Sequence, residues 1–136
     1  MTDIAMTIPD LHAAYARGVS PEQIIAQVYT RLREVDDPCI FLSMASEADA
    51  QAAAAALGPY DPDKPLWGVP FAVKDNIDVA GYETTAACPA YAYTPTQDAF
   101  VVAKLREAGA VFIGKTNLDQ FATGLVGVRT PYGAPR

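Results

Sequence analysis

A lysine closes the apolar run Gly68-Val69-Pro70-Phe71-Ala72-Val73-Lys74, and Asp75 and Asn76 follow directly. Burial disfavours the charged form of lysine. A strand that ends this way therefore either releases its ammonium into solvent or prepares a base. A free lysine is protonated at neutral pH and accepts no proton. Desolvation lowers its pKa and lets it activate a hydroxyl, the chemistry of Ser-Lys hydrolases. Asp75 and Asn76 could orient nearby groups by hydrogen bonding. A strand-end lysine emerging beside Asp75 fits the same residues, and residue type and spacing leave both readings open. Serines are scarce: Ser20, Ser43 and Ser46 all lie upstream. If Lys74 serves a serine nucleophile, that serine is expected outside these 136 residues.

Other chemistry-bearing residues make weaker patterns. Gly109 stands five residues before Gly114-Lys115-Thr116, so the spacing of a phosphate loop is formally present. The residues between are Ala110-Val111-Phe112-Ile113, which read as a strand and not as a flexible phosphate cradle. Nucleotide binding is therefore not expected. Cys39 and Cys88 are far apart and form no metal or redox spacing, so buried or incidental thiols are expected. His12 is the only histidine, and without a partner set it reads as structural or surface.

Composition narrows the class. Half the residues, 51%, are hydrophobic, which permits a packed core, and the net charge is −6. An acidic chain lacks the basic footprint of a nucleic-acid binder. No run of lysine and arginine suggests an anionic membrane. No apolar run is long enough to span a bilayer, and no signal-peptide pattern opens the chain. The expectation is a cytoplasmic protein without a nucleic-acid or membrane partner.

The elements that must position Lys74 follow from pattern. Residues 1–19 read as a short helix and turn, with Leu11, Ala14 and Tyr15 inward and Gly18 as the stop. Ser20-Pro21-Glu22-Gln23 is a capping box with proline at the first helical position. The helix it starts should bury Ile24, Val28, Leu32 and Val35, and Asp36-Asp37-Pro38 ends it. A short strand is expected at 39–42, then an alanine-rich helix from Ser46 to the stop at Gly58. Residues 66–75 form the lysine strand, with Val69, Phe71 and Val73 on one side and Pro70, Ala72 and Lys74 on the other. Residues 84–96 read as an ordered loop. Residues 97–108 read as a helix with Val101, Val102, Leu105 and Ala108 inward. Ala110-Val111-Phe112-Ile113 is a strand buried on both faces, and Asn117 is expected to cap a short helix through Phe121 that has Asp119 in its first turn. Strand, crossover helix and strand in that order suggest a parallel layer.

Two motifs together carry a resemblance. Gly68-Val69-Pro70-Phe71-Ala72-Val73-Lys74-Asp75-Asn76 and Gly114-Lys115-Thr116-Asn117-Leu118-Asp119-Gln120-Phe121-Ala122 resemble the amidase signature family. The resemblance covers nearly the whole chain. It implies an α/β fold, the N-terminal part of an α/β/α architecture with a mixed central sheet flanked by helices. It also implies a Ser–cis-Ser–Lys triad in which Lys74 is the lysine. Lys74 would deprotonate a bridging serine, and the nucleophilic serine would attack an amide carbonyl. Ammonia leaves, water completes the hydrolysis, and backbone N–H groups hold the oxyanion. The turn Ala122-Thr123-Gly124 would line the substrate pocket with main-chain groups. No cofactor and no metal are implied, and the implied partner is a small-molecule amide.

Within the family, Thr84-Thr85-Ala86-Ala87-Cys88-Pro89-Ala90-Tyr91-Ala92-Tyr93 and Asp119-Gln120-Phe121-Ala122-Thr123-Gly124-Leu125-Val126-Gly127 are most similar to allophanate hydrolases. Gln120 and Thr123 depart from the pattern of amidotransferase A subunits, which are kept as an alternative beside biuret-type amidases. A non-catalytic interaction fragment is the alternative from another class. The resemblance makes residues 1–136 the N-terminal portion of one amidase domain, 1–65 mainly helical and 66–136 carrying strand, helix and strand. By the same resemblance both serines lie downstream of Arg136, so the chain alone is expected to be inactive. Its unmatched apolar strand faces are expected to make it self-associate, and the full-length parent could be a homo-oligomer.

Overall fold

Ser20 begins the longest helix as its type dictates. In the computed structural model, which describes residues 4–136, Pro21–Val35 (α2) starts with the expected capping box: Ser20 Oγ accepts from the Gln23 N–H and Gln23 Oε1 from the Ser20 N–H. The preceding helix is Ile8–Ala16 (α1), capped by Thr7 and burying Leu11, Ala14 and Tyr15 as expected. That part of the expected first helix which falls on residues 1–3 lies outside the described residues. Glu47–Ala55 (α3) is capped by Ser46 and buries Ala50 and Ala54.

By internal contacts the chain forms two compact units. The first comprises the chain up to Asp36, Ala45–Phe71 and Leu105–Ile113. Its core joins Leu11, Tyr15, Ile24 and Trp67, with Val19, Leu57, Tyr60 and Val69 against it. The Tyr15 and Trp67 rings meet edge to face at 4.9 Å, a favoured aromatic geometry. The Tyr15 hydroxyl donates to Gly68 O at 2.7 Å, which satisfies the polar end of a buried ring, and burial pushes that hydroxyl's pKa up. Gly68 has φ +71°, and a Cβ there would lie 2.7 Å from the Tyr15 ring, so this position requires glycine.

The buried face of α2 differs from the expected one. Pro21, Ile24, Ile25 and Tyr29 are buried, Val28 and Leu32 are half-buried, and Val35 is exposed. The cause is the helix's neighbour: α2 packs on α3, and the Tyr29 hydroxyl donates to Ala45 O at 2.8 Å. A hydroxyl with a partner inside makes tyrosine a core residue, which apolar periodicity does not count. Val28 and Leu32 instead line an open groove of about 660 Å³ with Ile4 and Met6.

The second unit comprises Asp37–Met44, Ala72–Lys104 and Gly114–Arg136. Three strands form one sheet: Phe41–Met44 (β1), Pro70–Lys74 (β2) and Val111–Thr116 (β3), in the order β1-β3-β2; of these, Pro70, Phe71 and residues 111–113 belong to the first unit. β1 runs antiparallel to β3, with Phe41 opposite Thr116, Ser43 opposite Lys115 and Met44 opposite Gly114. The Val111 N–H donates to Val69 O and the Asp75 N–H to Thr116 O. These bonds advance in the same direction along both strands, so β2 and β3 are parallel. The sheet is therefore mixed, as expected.

Several boundaries differ from the expected ones. β1 starts two residues late because Cys39 is held in a turn, its N–H on Asp37 Oδ1 and its carbonyl on Asn117 Nδ2. β3 runs past Ile113 and takes in Gly114, Lys115 and Thr116. The helix expected at 97–108 is Phe100–Glu107 (α4), because Asp98 accepts from the Ala80 N–H and the Ala99 N–H donates to Asp78 O. Of its expected inner face Val102 is fully buried, Leu105 and Ala108 are half-buried, and Val101 is 47% exposed.

Candidate active site

Lys74 is the last residue of β2, at its C-terminal end, where open α/β sheets place their ligands. Its side chain is exposed, as are Ala72 on the same face and Asn76 beyond it. Of the two arrangements the sequence left open, the described residues show the strand-end lysine emerging beside Asp75. Alternation is the reason: Val73 and Asp75 point inward, so Lys74 between them points outward. The Ile77 N–H donates to Lys74 O and closes a tight turn immediately after the lysine.

The buried lysine is Lys115, which is 0% exposed. Its ammonium donates to Thr84 Oγ1 at 2.9 Å and to Glu83 O at 3.2 Å. It forms an ion pair at 3.5 Å with Asp75 Oδ1, a buried oxygen that accepts no ordinary hydrogen bond. Burial pushes the Lys115 pKa down, and the Asp75 carboxylate opposes that shift. Asp75 Oδ2 accepts from both the N–H and the hydroxyl of Thr85. The Thr84 hydroxyl donates to Asp78 Oδ1 at 2.8 Å, and Tyr93 donates to the same oxygen at 2.7 Å. That bond to Asp78 pushes the Tyr93 pKa up to about 12.

Two backbone hydrogen bonds join the lysine strand to the second predicted site segment. The Ala86 N–H donates to Asp75 O at 3.2 Å, and the Phe121 N–H donates to Ala86 O at 2.9 Å. The residue after Lys74 is thereby tied, through Ala86, to the residue before Ala122. Both sides of this junction are held left-handed: Ala86 and Ala87 have φ +50° and +56°, and Phe121 and Ala122 have φ +50° and +56°. Left-handed alanine is strained, and such strain clusters at ligand sites.

Ala122 and Thr123 are exposed and Gly124 is half-buried. The Thr123 hydroxyl donates to Gln120 O at 2.8 Å. Behind this turn lies Asp119, whose carboxylate accepts from the backbone N–H groups of Arg129, Gly127 and Val126 at 2.7, 2.8 and 3.0 Å. These bonds, that from Arg129 foremost, hold the Asp119 pKa below the ordinary carboxylate value. A Cβ at Gly124 would collide with that carboxylate. The exposed Tyr91 ring meets those of Tyr93 and Phe121 edge to face, with centroids 5.6 and 5.3 Å away.

Asn117 caps no helix, contrary to expectation. Its side chain donates to Cys39 O and Gly133 O, and the single turn Gln120–Ala122 begins at Asp119 instead. Gly114, Lys115 and Thr116 are strand residues, so they form no phosphate cradle. Ser20 and Ser46 cap helices, and Ser43 Oγ is enclosed in β1 with no hydrogen-bond partner. His12 bonds the Tyr60 hydroxyl and Pro65 O. Cys39 and Cys88 are free and half-buried. Among the described residues no group of His, Cys, Asp and Glu could hold a metal ion, and no helix is long and apolar enough to cross a membrane. Sequence reasoning missed Lys115, Thr84, Thr85 and Asp119 as site residues. The available signal was a lysine inside a strand buried on both faces, which demands an anion from the neighbouring strand.

Known proteins share these segments. A family model described as Amidase matches residues 23–136. A urea amidolyase of Saccharomyces cerevisiae is 71% identical over 69 residues, 51% of this chain and 4% of that protein. The A subunit of the glutamyl-tRNA(Gln) amidotransferase of Lawsonia intracellularis is 40% identical over 128 residues, 90% of this chain and 26% of that protein. The solved allophanate hydrolase of Kluyveromyces lactis superposes with a TM-score of 0.80 at 43% identity, covering 98% of this chain and 22% of that one. The chain thus spans about a quarter or less of the length of these relatives.

Proposed function

Because this chain belongs to the amidase family, we propose that it carries the lysine side of an amide-hydrolysing site, with Lys74 as the base. The substrate is a small amide of the allophanate type, in urea nitrogen metabolism, and ammonia is the product. The observation that supports this reading is the junction of Asp75, Ala86 and Phe121. It holds an outward lysine and the Ala122-Thr123-Gly124 turn in one compact unit.

General-base action needs Lys74 neutral, so the assembled site must exclude water from this face while the reaction runs. The lysine then takes a proton from a bridging serine, which takes one from the nucleophilic serine. Attack on the amide carbon gives a tetrahedral oxyanion; the proton taken up by Lys74 returns through the bridging serine to the amide nitrogen, the C–N bond breaks, and ammonia leaves an acyl-serine that water hydrolyses. Ser20, Ser43 and Ser46 are unsuited to the nucleophile, being committed to helix caps or enclosed in β1. Main-chain groups of Ala122, Thr123 and Gly124 hold the substrate. The reading includes a cytoplasmic setting, no cofactor, and one amidase domain whose N-terminal portion is residues 1–136.

The similarity to amidotransferase A subunits supports a second reading, with glutamine as the ammonia donor. An ammonia-release assay on the intact protein with allophanate, biuret and glutamine decides between them. Turnover of allophanate above the other two is expected. Turnover of glutamine alone would transfer the chain to the amidotransferase class.

A further inference from the structure

Lys115 has no place in the triad, yet it is the most completely enclosed charge among the described residues. An ammonium in such surroundings is costly, and replacing a buried ion pair by apolar residues of similar volume is often neutral or stabilising. Fold stability alone is therefore a weak account of it. What the side chain touches gives a better one. Its polar contacts are Asp75, which follows Lys74, and Thr84 and Glu83, in the loop that leads to Ala86.

We propose that Lys115 is a positioning residue for Lys74, acting through Asp75. The proposal rests on the reading of Lys74 as the base. Successive strand residues face opposite sides. The Asp75 carboxylate is drawn inward by the Lys115 ammonium and by both donors of Thr85. While Asp75 is held inward, Lys74 must face outward, and the tight turn from Lys74 to Ile77 starts at a fixed place. Through Thr84 the same ammonium holds the start of the segment whose Ala86 joins Asp75 O to the Phe121 N–H. One buried cation thereby sets both the direction of the base and its separation from the substrate turn. An apolar pair at these two positions would fill the volume without fixing either.

The test uses the intact protein and three variants assayed for ammonia release: Lys74→Ala, the apolar pair Lys115→Met with Asp75→Leu, and Lys115→Arg. The pair variant leaves both Thr85 donors without their acceptor, so it is expected to melt below the parent but above Lys115→Met alone, and to lose about 100-fold in kcat with KM little changed, the cost of a misplaced catalytic group. Lys115→Arg keeps the charge and should recover part of that loss. Lys74→Ala should be inactive. A pair variant that stays folded and turns over at the parent rate, beside an inactive Lys74→Ala, overturns this proposal alone. An active Lys74→Ala overturns the base assignment itself. If the pair variant fails to fold, Lys115→Arg decides: a lowered kcat at an unchanged melting temperature supports positioning, whereas a lowered melting temperature with unchanged kcat contradicts it.

Discussion

Asp119 shows how one carboxylate shapes the turn at Ala122-Thr123-Gly124. With Arg129, Gly127 and Val126 all donating to it, its charged form is favoured in the folded chain. Its folded pKa lies below the unfolded value, so the stabilisation is complete above about pH 4. It is lost as the pH falls through the folded value. Amide exchange at Val126, Gly127 and Arg129 should therefore be slow at neutral pH and lose protection in acid before the core opens. Equal protection at both pH values would contradict this. The Lys115–Asp75 pair makes a second prediction at this scale. Lys115→Met alone strands a buried carboxylate and should destabilise the fold by about 3–5 kcal/mol, read by urea denaturation, with a smaller loss when Asp75→Leu is added.

The strands and loops carry their own consequences. Ala86 and Ala87 are left-handed with φ +50° and +56°. Glycine adopts that conformation without penalty, so Ala86→Gly should raise stability by about 1 kcal/mol or leave it unchanged. A marked loss would contradict the strained geometry. At Gly114 a Cβ would lie 2.8 Å from Ser43 O and from the Phe41 ring. Gly114→Ala should push β1 from β3 and speed exchange of the Asn117 N–H, which is bonded to Ile40 O. Caps and strand alternation were legible in the sequence: Ser20, Ser46 and the placing of Lys74 on the side opposite Val73 all follow from residue type and period. The buried face of α2 was not, because Tyr29 enters the core through one hydroxyl bond. Nor was the site's polar network, since Thr84, Asp75 and Lys115 meet only when β2, β3 and a loop are folded together.

At the scale of the whole chain the exposed apolar groups stand out. Phe100 is 79% exposed, Leu125 is fully exposed and Val126 is 73% exposed. Scattered apolar side chains are ordinary on a surface, but several large ones so open favour association. Sedimentation of the 136-residue chain should show concentration-dependent self-association; a monomer at all concentrations would contradict this. The motif around Lys74 made the family legible, while no pattern in the sequence showed that Lys74 would be the open lysine and Lys115 the enclosed one. The central claim concerns chemistry at the first of these. Its most direct test is the steady-state kcat of Lys74→Ala in the intact protein with allophanate. A fall of about four orders of magnitude or more is predicted, as for residues that act as one catalytic unit; a rate within a few-fold of the parent would contradict the account.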